Sequence, residues 1–425
     1  MNNELKQKYV RVVTGISALL LLLPLVALAE VNLESETIVR IFERDTAQQQ
    51  NAQVVPVYEY LHGGFGNRED VVSFHLSGWG RLDVADEGYY DDDTAGELMY
   101  GYVEVKPADY NVSMRIGRQY VFEGVANEAV DGISVAAEMK GGFIYSAYAG
   151  LPVGLSTTGG TEGDIIYGDR LAHRGANHQV GISYKLAEND SNTAQEMVGS
   201  DLALFLPGGV SLFGVSRYNL ETEDFAEHSY EANMNLGPVS LRPFVERYRY
   251  EDYFNAGAET VNPFRFLAIQ DETLTVAGSD ISFNPTDDVN IMVRAKALEY
   301  DVADTAIYAS AMLTRYDDGV GNYGAEIGRM AGDLDRDSYT LSRLFAYLED
   351  FNDSFPIEFI SADMMLAIYD EDIRGEGEAY FLSLGAGKDM MEGDLKLKAT
   401  AEYSADPYYT EDVRGSLSAT YLFAP

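Results

Sequence analysis

The stretch Asp394-Leu395-Lys396-Leu397-Lys398-Ala399-Thr400-Ala401-Glu402-Tyr403 puts Leu395, Leu397, Ala399, Ala401 and Tyr403 at one parity and Lys396, Lys398, Thr400 and Glu402 at the other. Side chains of an extended strand point alternately to opposite faces, so this segment is a strand with one apolar and one polar face. Working outward, the same alternation returns over runs of about 8 to 13 residues along the chain. In the first half the candidate strands are 35–42, 54–62, 71–84, 96–105, 110–120, 131–139, 142–150, 163–173, 178–186, 197–206 and 209–219. In the second half they are 226–236, 239–250, 272–283, 288–300, 304–315, 321–330, 337–348, 357–369, 377–388, 393–404 and 413–423.

The connections fall into two kinds that alternate along the chain. Lys106–Asp109, Lys140–Gly141, Pro207–Gly208, Gly237–Pro238, Asn284–Asp287 and Asp389–Glu392 are short and rich in turn residues. The stretches 43–53, 85–95, 121–130, 151–162, 187–196, 251–271 and 405–412 are longer, and several are acidic, as in Tyr89-Tyr90-Asp91-Asp92-Asp93. Short turns on one side and long loops on the other are the signature of a transmembrane barrel with periplasmic turns and extracellular loops. The expected fold is therefore all-β: a single antiparallel up-and-down barrel of about 18 to 22 strands, with 22 favoured by the candidates above. An even number leaves both termini in the periplasm.

The N-terminus agrees with export. Lys6, Lys8 and Arg11 precede an apolar run from Val12 to Leu28 that closes on Ala27-Leu28-Ala29, the pattern of a cleaved signal peptide over residues 1–29. Residues 30–425 are then one barrel domain, since no Pro/Gly/Ser-rich linker divides them. No apolar run in that part approaches the roughly 18 residues that a spanning helix needs. The chain has no cysteine, which excludes disulfides, thiolate metal sites and covalently attached haem. A formal charge of −39 excludes a nucleic-acid partner, because such binding neutralises phosphates with Lys and Arg. The 30 Tyr and 19 Phe against a single Trp fit aromatic girdles at the two membrane interfaces.

Over the whole of residues 30–425 this pattern resembles the porin class of Gram-negative outer-membrane proteins. The closing run Arg414-Gly415-Ser416-Leu417-Ser418-Ala419-Thr420-Tyr421-Leu422-Phe423 is similar to the C-terminal strand by which the barrel-assembly machinery recognises such proteins. The resemblance implies an outer-membrane location and a water-filled channel for passive diffusion of ions or small hydrophilic solutes. It leaves a homo-oligomer open and names no solute.

Alternation also assigns faces. If Val112, Met114 and Ile116 meet lipid, Asn111, Ser113, Arg115 and Gln119 face the lumen. The same reasoning puts Arg81 inside with Trp79, and Arg294 and Lys296 inside with Asn290. Asp363, Lys396, Lys398 and Glu402 join them as pore-lining candidates, and charged rings of this kind set ion preference. Arg118, Arg247 and Arg249 fall on the lipid parity near the outer strand ends, where lipopolysaccharide phosphates are available to Arg. The connections 121–130, 151–162 and 251–271 are the candidates for an inward-folded constriction, the last with Tyr253, Phe254, Phe264 and Phe266.

Other chemistry is poorly represented. The acidic runs Asp91–Asp93, Asp333–Asp337 and Asp370–Asp372 lack the full spacing of a defined calcium loop, so no metal or other cofactor is expected. The five histidines, His62, His75, His173, His178 and His228, are scattered, and neither G-x-S-x-G nor H-E-x-x-H occurs; an enzyme is not expected. The alternative from another class is a sheath: a barrel enclosing a cytochrome partner in an electron conduit. This chain would supply only the sheath, because it lacks C-x-x-C-H.

Overall fold

The computed structural model describes residues 31–44, 52–66, 70–85, 89–90, 92–154, 163–249, 252, 272–301, 304–333, 338–349, 357–407 and 411–423. The signal segment 1–29 lies outside them. The first half contains β1 (Val31–Arg44), β2 (Ala52–Val54), β3 (Pro56–Phe65), β4 (Val72–Asp83), β5 (Thr94–Val105), β6 (Val112–Glu123), β7 (Ala126–Glu138), β8 (Phe143–Val153), β9 (Ile165–Arg174), β10 (His178–Asn189), β11 (Asn192–Leu206) and β12 (Val210–Asn219). The second contains β13 (Asp224–Leu236), β14 (Val239–Arg249), β15 (Thr273–Thr286), β16 (Val289–Tyr300), β17 (Asp304–Asp317), β18 (Gly321–Gly332), β19 (Tyr339–Glu349), β20 (Phe359–Ile373), β21 (Glu376–Met390), β22 (Leu395–Ala405) and β23 (Asp412–Phe423).

Each strand pairs antiparallel with its neighbour in sequence, and β23 returns to β1 in the register Leu33↔Phe423 to Phe42↔Arg414. That pairing closes the sheet. β2 and β3 both pair with β1 and form one stave interrupted at Val55, which precedes Pro56, so the barrel has 22 staves. Closure satisfies the edge groups that a membrane would leave unpaired. Every candidate strand has its counterpart here, with ends displaced by a few residues.

Cross-strand register links the faces of neighbouring strands. Leu397, Ala419, Thr37 and Glu59 lie side by side on one surface, and Lys398, Ser418, Ile38 and Tyr58 on the other. The outer surface presents Ile182, Ile307, Ile327, Leu344, Met364 and Leu417, all exposed, as a lipid-facing band requires. Near the termini it carries the ring pairs Phe65–Phe74 (5.0 Å) and Tyr421–Phe423 (4.4 Å). A closed barrel with such a band is a membrane-spanning protein of the bacterial outer membrane.

Most connections at the terminal end are short, among them 175–177, 207–209, 237–238, 287–288 and 318–320, while 84–93, 154–164 and 250–272 at the other end are long. Two expected long loops are corrected. The connections placed at 121–130 and 187–196 are tight hairpin ends, closing on Glu123↔Ala126 and Asn189↔Asn192. Asp190 and Ser191 adopt φ of 51° and 62°, the handedness that suits a two-residue hairpin. The alternation rule fails there because the inward face is apolar: Val121, Ala126, Val130, Tyr148, Ile166 and Ala187 form a buried cluster inside the barrel.

Candidate lumenal constriction

β5 and β6 pair only from Gly101↔Arg118 to Val105↔Met114, whereas β6 and β7 remain paired up to Glu123↔Ala126. Beyond Arg118 the two strands therefore continue as a hairpin that has left the wall. Its tip lies across the inner face of the barrel. Val125 N donates to Ser183 Oγ of β10 at 3.0 Å, and Val125 packs with Met197 of β11 and Ala226 of β13. Reaching those strands from β7 requires passing over β8 and β9 on the lumenal side, where Ser146 Oγ of β8 donates to Glu123 Oε2 at 2.8 Å.

The departure point is a glycine. Gly117 has φ of +127°, and a Cβ at that position would lie 2.3 Å from the Gly101 carbonyl oxygen. Only glycine combines that dihedral with that approach. Gly117→Val is expected to cost about 1–3 kcal/mol of strain, read as a lower urea midpoint for the micellar protein; an unchanged midpoint would mean that the bend is not held there.

Under the hairpin the lumenal charges are paired and dry. Lys185 Nζ donates to Glu128 Oε1 at 2.7 Å, Arg170 grips Asp201 through two hydrogen bonds of 2.9 and 2.6 Å, and Arg217 lies 2.7 Å from Glu227. The opposite wall is also charged. Asp280 receives both Arg242 (2.6 Å) and Arg294 (2.7 Å), and Arg343 is hydrogen-bonded to Asp363 at 2.9 Å. Exposure separates the two walls: the side chains of Arg170, Lys185 and Arg217 are 10%, 4% and 17% accessible, against 44%, 38% and 35% for Arg242, Arg294 and Arg343. The hairpin thus takes up one side of the lumen and faces a wetted, ion-paired wall on the other.

All the pore-lining candidates lie on the inward parity. Arg115 bonds Glu104 at 2.9 Å. Arg81 stacks over the Tyr90 ring at 3.5 Å and donates to the Asp92 carbonyl. Lys296 lies 5.7 Å from the Tyr308 ring centre. Glu402 borders a recess of about 480 Å³ with Arg40, Tyr89, Tyr90 and Arg414. Lys396 and Lys398 stand on the same strand as Glu402, opposite Thr420 and Ser418 of β23. These residues are spread around the wall and do not meet at one point. Sequence reasoning passed over Arg242, Asp280, Arg343, Glu128 and Lys185, whose importance comes from cross-strand partners. The available signal was parity, for Arg242 stands between Leu241 and Pro243 as Arg294 does between Val293 and Ala295.

On the outer face, Arg118 chelates Asp131 with two bonds of 2.8 Å. Arg249 is hydrogen-bonded to Asp224, and Arg247 pairs across the ladder with His228. A similar outward ion pair, Arg329–Asp370, was not anticipated. Among the described residues no group of three or more His, Asp or Glu has the arrangement of a metal site; Asp91, Asp335 and Asp337 of the acidic runs lie outside those residues, as do Tyr253, Phe254, Phe264 and Phe266. Ser73–His75 (3.0 Å), Ser77–His62 (2.7 Å) and Ser216–His228 (2.9 Å) are hydrogen-bonded pairs. No carboxylate among the described residues hydrogen-bonds to these rings.

No family model matches the chain, and no curated protein matches it. Among solved structures, the chain is similar to a BenF-like porin from Pseudomonas fluorescens Pf-5 (10% identity, 93% of this chain and 99% of that one, TM-score 0.44). It is likewise similar to the outer membrane protein OpdK from Pseudomonas aeruginosa (10% identity, 93% and 99% covered, TM-score 0.45). A third such structure is OccAB1 of Acinetobacter baumannii (10% identity, 93% and 96% covered, TM-score 0.44). The closed ladder of strands, and not these alignments, establishes the barrel.

Proposed function

We propose that the protein is a non-catalytic diffusion pore for ions or small hydrophilic solutes, narrowed between the β6–β7 hairpin and the wall formed by β14 to β20. The observation that carries this reading is the contrast in exposure between the two walls. Charged side chains facing a partner or a packed filling are buried, as they are beneath the hairpin; Arg242, Arg294 and Arg343 are solvated. Charge paired in this way lines a channel with alternating fields and favours neither ion strongly. The cytochrome sheath is disfavoured, because the hairpin occupies lumenal space that an enclosed partner needs.

Removing Arg115, Arg294, Lys296 and Lys396 together takes four positive charges from the wall and leaves Glu104, Asp280 and Asp363 in place, so the wall becomes more acidic. In planar bilayers under a salt gradient the reversal potential is expected to move toward the cation value, by a permeability ratio of about threefold or more. An unmoved reversal potential at unchanged conductance would remove these residues from the ion path. The proposed contact of Arg118, Arg247 and Arg249 with lipopolysaccharide phosphates is checked by co-purification. Loss of bound lipopolysaccharide in the triple Gln variant supports it, and retention rejects it.

A further inference from the structure

The hairpin that narrows the lumen also splits the wall. Above Gly101, residues Thr94–Tyr100 of β5 keep the β4 ladder on one side, as far as Leu82↔Thr94, but have no ladder to β6 on the other. Hydrocarbon does not solvate such an edge. At its base the Arg118 Nη1 donates to the Leu98 carbonyl at 2.9 Å, while Nε and Nη2 hold Asp131 at 2.8 Å each. One guanidinium, neutralised by one carboxylate, therefore supplies a donor that the missing strand would have given.

The seam opens at the outer margin of the apolar band. Val103 and Ile116 lie just below it on β5 and β6, and Leu151 flanks it as the ladder partner of Asp131; all three are exposed on the outer face. Its β5 margin carries Leu98 beside Glu97. Leu98 is 41% exposed on the β5 edge. On the hairpin, Tyr120 and Phe122 follow Arg118 on the same parity of β6, the side turned away from the inner wall and toward the lumen just inside the seam; their rings stack at 4.7 Å, and Phe122 is 70% exposed. An aromatic so exposed on a segment that has left the lipid-facing wall is not explained by the band.

We propose that this seam is a lateral port through which a small uncharged apolar molecule, aromatic or hydrocarbon, passes between the lumen and the bilayer. Aromatic and leucine side chains recognise apolar solutes, and Arg118, held by Asp131 with Glu97 also near it, leaves no free cation there to select an anion. The inference rests on the barrel and its hairpin and not on the diffusion-pore reading.

Two measurements test it. In a Trp79→Phe background, Phe122→Trp in proteoliposomes is expected to be quenched both by brominated phospholipid and by aqueous acrylamide. Quenching by acrylamide alone overturns the port. In cells, uptake of N-phenyl-1-naphthylamine, an uncharged aromatic dye, is expected to fall about tenfold in Leu98→Glu, because a charge placed in an apolar path is costly, while potassium chloride conductance of the purified variant stays near wild type. Unchanged dye uptake by a folded variant overturns the proposal. A parallel loss of conductance does so too, since it would place Leu98 in the aqueous path. A wild-type protein that takes up dye but conducts no salt would sink the diffusion pore and leave the port standing.

Discussion

Replacing residues Gln119–Val130 by a two-residue turn is expected to raise single-channel conductance by about two- to fivefold, because conductance follows the open cross-section at the narrowest point. The hairpin leaves the wall at Arg118 and rests on β10, β11 and β13, so its removal takes material from the lumen without touching the closing ladder between β1 and β23. It also exposes Arg170, Lys185 and Arg217 to water. Their acidic partners Asp201 and Glu227 remain, whereas Glu128 leaves with the hairpin, so the enlarged pore should also shift toward anions. The shortened protein should still show the heat-modifiable electrophoretic mobility of a folded barrel. Unchanged conductance in a barrel that folds would show that ions pass elsewhere.

The second large effect is expected from Lys185→Met. Lys185 and Glu128 are both buried, and their 2.7 Å contact joins the hairpin to β10. Removing the cation takes from that buried carboxylate its 2.7 Å partner, at a cost of about 3–5 kcal/mol. The hairpin is the part free to move, so it should undock before the barrel unfolds. The expected signature is flickering between two conductance levels and faster proteolysis near Gly124, with the global unfolding midpoint little changed. Lys185→Met combined with Glu128→Leu removes both charges and should restore a steady level, since an apolar pair of similar volume is tolerated where a lone charge is not. Flicker that persists in the double variant would assign the defect to packing and not to charge.

These two experiments bear on features that differ in how far the sequence discloses them. Strand number, parity and closure were readable because lipid imposes one rule on every spanning strand: apolar residues out, at period two. Leu395 to Tyr403 obeys it, and so do Val112, Met114 and Ile116. The rule holds only where a strand separates lipid from water. Between Gln119 and Val130 it does not, for the hairpin has protein on one side and lumen on the other, and Val121, Ala126 and Val130 turn their apolar side chains to the inner wall. Read by the lipid rule, that stretch looks like a loop. It was nevertheless a candidate constriction by position, and the glycine at 117 marks where the wall strand ends.

Ion pairs were less accessible still. Whether Arg294 is solvated alone or shares Asp280 with Arg242 depends on register between strands 14 residues and 38 residues apart in sequence, and alternation gives parity without register. Ser73 and His75 illustrate the same limit from the other side. Their spacing by two residues predicts a shared face, and only the coordinates bring Ser73 Oγ to 3.0 Å from His75 Nε2.

On the proposed reading the barrel conducts through a lumen narrowed, and not sealed, by its hairpin. Planar-bilayer recording of the purified, heat-modifiable protein tests it most directly. The account predicts discrete, ohmic steps whose size scales with potassium chloride concentration and increases when residues 119–130 are removed. A folded barrel that inserts and gives no steps, with the hairpin or without it, would contradict it.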